Sequence, residues 1–261
     1  MEKEEVEDQP AVEPEVAAEV EAEPEVLEEP VIADEPVTVR VPEGGEGFVA
    51  TGELDDAGIL IDTVDNRIMI ASGETVFVEM RDLAATEPGS DYALFDKGRE
   101  VVHPVTGEVV GYRVEELGEL RIKRVHDEVA SAVITKNFQE IERGSRLRPV
   151  PERRKEIDLK KATAKISGFV VEGRRNKISM GQGDIIYADI GAADGLEEGN
   201  LLYISRPRQA TLLALKEEVE LPEKLLGAAV VVDVRDQTAT ALVIKSAHAI
   251  ERGDRVRTTT K

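Results

Sequence analysis

The chain has 261 residues, of which 41% are hydrophobic and 3% aromatic, with no Cys or Trp and a net charge of -21. The absence of cysteine excludes disulfides, thiol nucleophiles and cysteine-based zinc sites, and the scarcity of rings leaves any core to Val, Ile, Leu and Ala. The charge is uneven, because residues 1–46 hold 17 Asp and Glu against Lys3 and Arg40, a net -15.

Residues 1–45 interleave Glu, Pro, Val and Ala (VEPEVAAEVEAEPEVLEEP), a composition whose charge repulsion and prolines oppose a packed core. The expectation is a disordered acidic spacer or tether, with an interaction tail for a basic surface as the sharper reading. No run of 18 apolar residues occurs, and the N-terminus lacks a basic stretch followed by an apolar one. Neither a transmembrane span nor a signal peptide is therefore expected.

From residue 46 onward, short β-branched runs alternate with turn residues, the pattern of an all-β chain. Strands are expected at Gly58–Val64, Arg67–Ala71, Thr75–Glu79, Tyr92–Phe95, Leu117–Val125, Glu128–Lys136 and Arg146–Arg148. Glu100–His103 and Glu108–Arg113 flank Pro104-Val-Thr-Gly107, a hairpin turn. In Glu128–Lys136 the small Ala130 and Ala132 alternate with Val129, Ser131 and Val133, as on a curved wall that buries its small side. Further strands are expected at Ser167–Val171, Lys177–Met180, Asp184–Asp189, Asn200–Ser205, Leu226–Arg235 and Ala239–Lys245, and one helical turn within Leu212–Val219.

The closing Ala249-Ile-Glu-Arg-Gly-Asp-Arg-Val-Arg257 nearly repeats Glu140-Ile-Glu-Arg-Gly-Ser-Arg-Leu-Arg148. At an offset of 109, Gly118–Arg148 and Gly227–Arg257 agree at 12 of 31 positions, where chance gives about two. Upstream an offset of 110 pairs Asn66 with Asn176, Gly73 with Gly183, Phe77 with Tyr187 and Gly89 with Gly199. Gly47-Phe48-Val49 also echoes Gly168-Phe169-Val170, but eleven residues out of that register. A period this long suits a whole small domain. The expectation is two tandem homologous β-barrels, 46–150 and 164–261, joined by a semi-exposed linker at 151–163, with no need for the copies to share a core.

No catalytic, cofactor-binding or metal-binding residue is singled out. His103, His126 and His248 are not matched between copies and read as surface or turn residues. Gly45-Glu-Gly47-Phe-Val-Ala fits a dinucleotide fingerprint in letters only, since it leads into a strand and not a helix. Asp189–Glu198 is acidic, yet Gly191 and Ala193 stand where a calcium loop needs oxygen ligands, so a turn is expected. Between Arg153 and Lys177, nine basic residues face three acidic ones; a solvated linker face is the plain reading, and a nucleic-acid partner is not expected from an acidic chain.

The segments HPVTGEVVGYRVEELGELRIKRVHDEVASAVITKNFQEIERGSRLRP, GQGDIIYADIGAADGLEEGNLLYIS and LLGAAVVVDVRDQTATALVIKSAHAIERGDRVRT together resemble the tandem C-terminal region of bacterial LysM-containing envelope proteins. More distantly they resemble the SH3-like C-terminal domain of flagellar assembly protein T. The resemblance covers nearly all of Gly47–Thr258 and implies SH3-like barrels, no enzymatic activity, a periplasmic or envelope setting, and peptidoglycan or an envelope protein complex as partner. In that family a LysM module behind a signal peptide contacts the glycan, and neither is expected here. The alternatives are a protein-binding adaptor of a flagellar or secretion assembly and an enzyme with its site between the copies.

Overall fold

Among the described residues fifteen strands account for the architecture, and the strands that form two of its sheets pair in one cyclic order. The computed structural model describes residues 37–42, 44–66, 69–152, 154–208, 216 and 221–260, all within one compact unit spanning 31–261. The expected disorder of residues 1–36 and the expected helical turn at Leu212–Val219, Lys216 apart, lie outside them.

The first half holds β2 (Phe48–Ala50), β3 (Gly58–Thr63), β4 (Thr75–Met80), β5 (Asp91–Val102), β6 (Val109–Val125), β7 (Ala130–Asn137) and β8 (Arg146–Pro149). They pair in the order β2-β6-β5-β8-β3-β4-β7, and β7 pairs again with β6. The second half holds β10 (Ser167–Gly173), β11 (Ile185–Ala188), β12 (Leu201–Arg206), β13 (Lys224–Val234), β14 (Ala239–Ser246) and β15 (Arg255–Thr258), a closed barrel in the order β10-β11-β14-β13-β12-β15. Substituting β3 for β10, β4 for β11 and so on to β8 for β15 turns one order into the other.

The register irregularities agree as well. The shift between Leu60 and Asp62 against β4 matches that between Val170 and Glu172 against β11. Those at Glu119/Leu120 and Ile122/Arg124 against β7 match Ala228/Ala229 and Val231/Asp233 against β14. Bulges bend a strand and sharpen its twist, which is how six strands close over so small a core. Each half has its own core: Leu60, Val76, Leu94, Leu120, Ile122, Ala130, Ala132, Ile134 and Leu147 in the first, and Val170, Ile186, Ile204, Ala229, Val231, Ala239, Ala241, Val243 and Val256 in the second.

Several expectations are corrected. The letters of Gly47-Phe48-Val49 mislead, because β3, not β2, occupies the place of β10, so the offset of 110 runs unbroken from Gly58/Gly168. Met69–Ala71, the described part of the run expected at Arg67–Ala71, and Lys177–Met180 are not strands. Asn66 and Asn176 sit at φ 50° and 56°, and among the described residues of the two runs Ile70 and Met180 turn inward, each through a single bridge, to Ile141 and Ile250. The segment expected to be without structure contains β1 (Thr38–Arg40), and the linker contains β9 (Glu156–Asp158); the two pair antiparallel with Val39 opposite Ile157. Both apolar side chains face the second barrel while Thr38, Arg40, Glu156 and Asp158 face outward, the alternation of a half-buried ribbon.

The halves do share a core. Val49, Val101 and Ile157 pack with Val171, Ile185, Tyr187, Val230 and Leu242 in a third apolar cluster, with Val39, Val41 and Val110 at its margin. It forms because β5 and β6 run on past their own ring as a two-stranded arm that lies, with β2 and the ribbon, on the outer wall of the second barrel.

Candidate functional site

The arm and β2 leave a polar crevice where they meet the second barrel, lined by Glu46, Phe48, Glu116, Arg148, Asp233 and Arg235 among others, with a volume of about 70 Å³. Its centre is Phe48, whose ring lies under the Arg235 guanidinium at 3.9 Å and within 4.8 Å of that of Arg148. A cation on a ring face is attracted by the ring quadrupole, so Phe48 offsets part of the repulsion between the two guanidiniums that share it.

Glu116 projects from β6 into the crevice and is 4% exposed. It accepts the Gly45 N–H at 3.2 Å and is ion-paired to Arg148 from β8. Burial pushes the Arg148 guanidinium down from its ordinary value, and the neighbouring Glu116 works against that shift. The chain reaches Gly45 through left-handed glycines, and at Gly47 (φ 68°) a Cβ would come within 2.5 Å of the Val114 carbonyl. Only glycine lets this loop lie on β6 and aim the Gly45 N–H at Glu116.

Beside the crevice, Arg113 binds Glu115 of its own strand and Asn176 of the second half. Arg99 reaches the buried Glu172 at 2.8 Å, and Arg252 donates to the Val171 and Val102 carbonyls, each at 2.8 Å. The Tyr187 hydroxyl donates to the Glu46 carbonyl at 2.6 Å, and burial pushes its phenol well above the usual range.

The seam is a lattice of charge pairs, and its crevice admits a few waters, whereas drug-sized ligands occupy several hundred Å³. Glu115, Glu116, Glu172 and Asp233 are engaged by guanidiniums and Glu46 by the Gly44 N–H, an arrangement suited to fixing two bodies together.

The features weighed in the sequence fall elsewhere. His103 is buried, contrary to the surface reading: its Nδ1 accepts the Val105 and Thr106 N–H groups at 3.1 and 3.0 Å. Its Nε2 therefore carries the proton and donates to Asp189 at 2.9 Å across the seam, with the ring edge-on to Phe169. His126 and His248 are exposed. Gly45 to Gly47 lead into β2, and Asp194 is spent on the Gly191 N–H at 2.9 Å.

The basic run does not form one patch. Arg154 lines the crevice, Lys177 pairs with Asp184 at 2.7 Å and Arg175 donates to the Phe138 carbonyl, while Arg153 is outside the described residues. Sequence reasoning missed Phe48, Glu116, Arg148 and Arg235. A signal was present in the departures from the repeat, since Glu116 stands where the second half has Leu225 and Glu119 where it has Ala228.

No protein-family model matches this chain, and no curated protein matches it. Among the described residues no helix is long and apolar enough to cross a membrane, which leaves strand-based spans unaddressed.

Proposed function

We propose that this chain is a non-catalytic accessory or scaffold protein of the bacterial cell envelope, built from two SH3-like barrels descended from one duplicated ancestor. The observation that carries the reading is the use of the seam's polar groups. Arg113, Glu172 and His103 are each occupied in binding one half to the other, and Glu116 and Arg148 hold one another beside them, around a crevice of about 70 Å³. The envelope setting rests on the resemblance to the tandem region of LysM-containing proteins, with peptidoglycan or an envelope protein complex as partner.

A protein-binding adaptor of a flagellar or secretion assembly is the second reading. The exposed aliphatic side chains Ile61, Val64 and Met69 on one end of the first half favour it, because such groups suit a protein partner better than a glycan. The purified chain, incubated in parallel with peptidoglycan sacculi and with solubilised envelope complexes, separates the two. Retention on sacculi supports the first reading, retention on complexes alone supports the second, and turnover of an envelope substrate overturns both.

A further inference from the structure

The second barrel displays how its outer wall holds an extended chain. Thr238, just before β14, and Thr240, within it, donate their hydroxyls to the Val49 and Gly47 carbonyls at 2.7 and 3.2 Å, and Tyr187 donates to the Glu46 carbonyl. Strand β2 therefore stands edge-on along β14, its carbonyls toward the wall. Its side chains splay to the two flanks: Phe48 toward Arg235 beyond the end of β13, and Val49 into the apolar cluster with Val171, Ile185 and Tyr187.

The matching wall of the first half is open among the described residues. Along β7, Ser131 stands at the place of Thr240 and Val133 at that of Leu242. On one flank Phe77 and Ile61 occupy the places of Tyr187 and Val171, with Ile61 39% exposed. On the other flank β6 presents Arg121, Lys123 and Arg124, where β13 has Val230, Val232 and Asp233. Arg121 is paired with Asp91, whereas Lys123 and Arg124 are exposed with no ion-pair partner among the described residues.

We propose that this wall docks an extended segment in which apolar residues alternate with Asp or Glu. Lying along β7, where Ser131 keeps a hydroxyl at the place of Thr240 while Val129 and Phe77 stand at those of Thr238 and Tyr187, such a segment turns its apolar side chains toward Phe77 and Ile61 and its carboxylates toward Lys123 and Arg124. A period of two is what sends the two kinds of side chain to opposite flanks. The match is in charge and in spacing, and it does not depend on the envelope setting proposed above.

The test uses the full chain and a labelled peptide, Val-Glu-Ala-Glu-Pro-Glu-Val, a pattern also present at residues 20–26. Fluorescence anisotropy should show saturable binding at about 20 mM salt, weakened at least tenfold at about 500 mM, where the Debye length falls to roughly 4 Å. Methyl resonances of Ile61 and Val133 should shift on titration. Lys123→Glu with Arg124→Glu, both on the exposed surface, should weaken binding at least tenfold, as should a peptide of the same composition in the order Glu-Glu-Glu-Val-Val-Ala-Pro. Running the titration also on the chain carrying Glu21→Gln, Glu23→Gln and Glu25→Gln removes competition from the protein's own copy of the pattern. The proposal is overturned by absence of binding to both chains, by equal binding of the reordered peptide, or by binding that the charge reversal leaves unchanged.

Discussion

Leu242 and Val133 hold the same place in their rings, yet Leu242 is buried under the arm of the first half and Val133 is half-open to solvent. The same holds across the walls: Val230 against Arg121, Val232 against Lys123, Ile185 against Thr75, Ile244 against Thr135. The inward positions behave otherwise, since Ala130 and Ala239, Ala132 and Ala241, and Ile141 and Ile250 are alike and buried in both halves. The interior of a small barrel admits few volumes, so the cores stayed close in kind. The exterior answers only to what lies against it: one wall is an internal interface, and the other is open among the described residues.

The largest effect should come from exchanging the walls. Val230→Arg installs the first-half residue in the shared apolar cluster, where Val230 is fully buried; an unpaired charge there should cost about 3 kcal/mol or more. The reverse, Arg121→Val, removes an exposed ion pair and should leave the unfolding midpoint nearly unchanged. Urea unfolding reads both, and equal losses would contradict the assignment of one wall as interior.

Next come the paired turns. Gly144 and Gly253 sit at φ 95° and 93°, so replacement of either by Val should cost about 1–3 kcal/mol, with similar midpoint shifts. A tolerated change at one and not the other would mean that the two turns differ in conformation.

Smaller again is the loss of a wall hydroxyl. Thr240→Val removes the donor to the Gly47 carbonyl and should cost about 1 kcal/mol, while Ser131→Ala at the equivalent open site should be near neutral. A neutral Thr240→Val would deny the hydroxyl its part in seating β2.

The mildest changes are with pH, and they differ in sign. The Arg121 guanidinium hydrogen-bonded to Asp91, and likewise Arg81 beside Asp56, hold these carboxyls below the usual range. Their contribution is complete above the ordinary carboxylate value and fades as pH falls through it toward the lowered one. Tyr187 is raised by burial, so its contribution is complete below the ordinary phenol value and fades as pH rises past it. Spectrophotometric titration should find one of the four tyrosines ionising last, and Tyr187→Phe should abolish that step.

Strand positions were readable wherever both neighbours of a run were also strands, as for Thr75–Met80 and Ala130–Asn137. They misled at Lys177–Met180, where Ile178 is among the most exposed apolar residues and the run pairs only through the single bridge at Met180 among the described residues. β-Branching marks a residue that fits a sheet, and it cannot supply the sheet. The seam was hidden for a related reason. Phe48, Glu116, Arg148 and Arg235 come from four separate segments, and no spacing along a chain encodes their meeting.

By itself the sequence determined the all-β character, the period near 110 residues, the small-residue faces that line each core and the turns at Gly144 and Gly253. These depend on neighbours in the chain and on the period of two that any strand imposes. Only the tertiary structure decided that β5 and β6 run on as an arm, that β1 and β9 pair across 120 residues, and that His103 is buried against Asp189. Those outcomes depend on which wall lies against which, a fit between two surfaces that no spacing along the chain records.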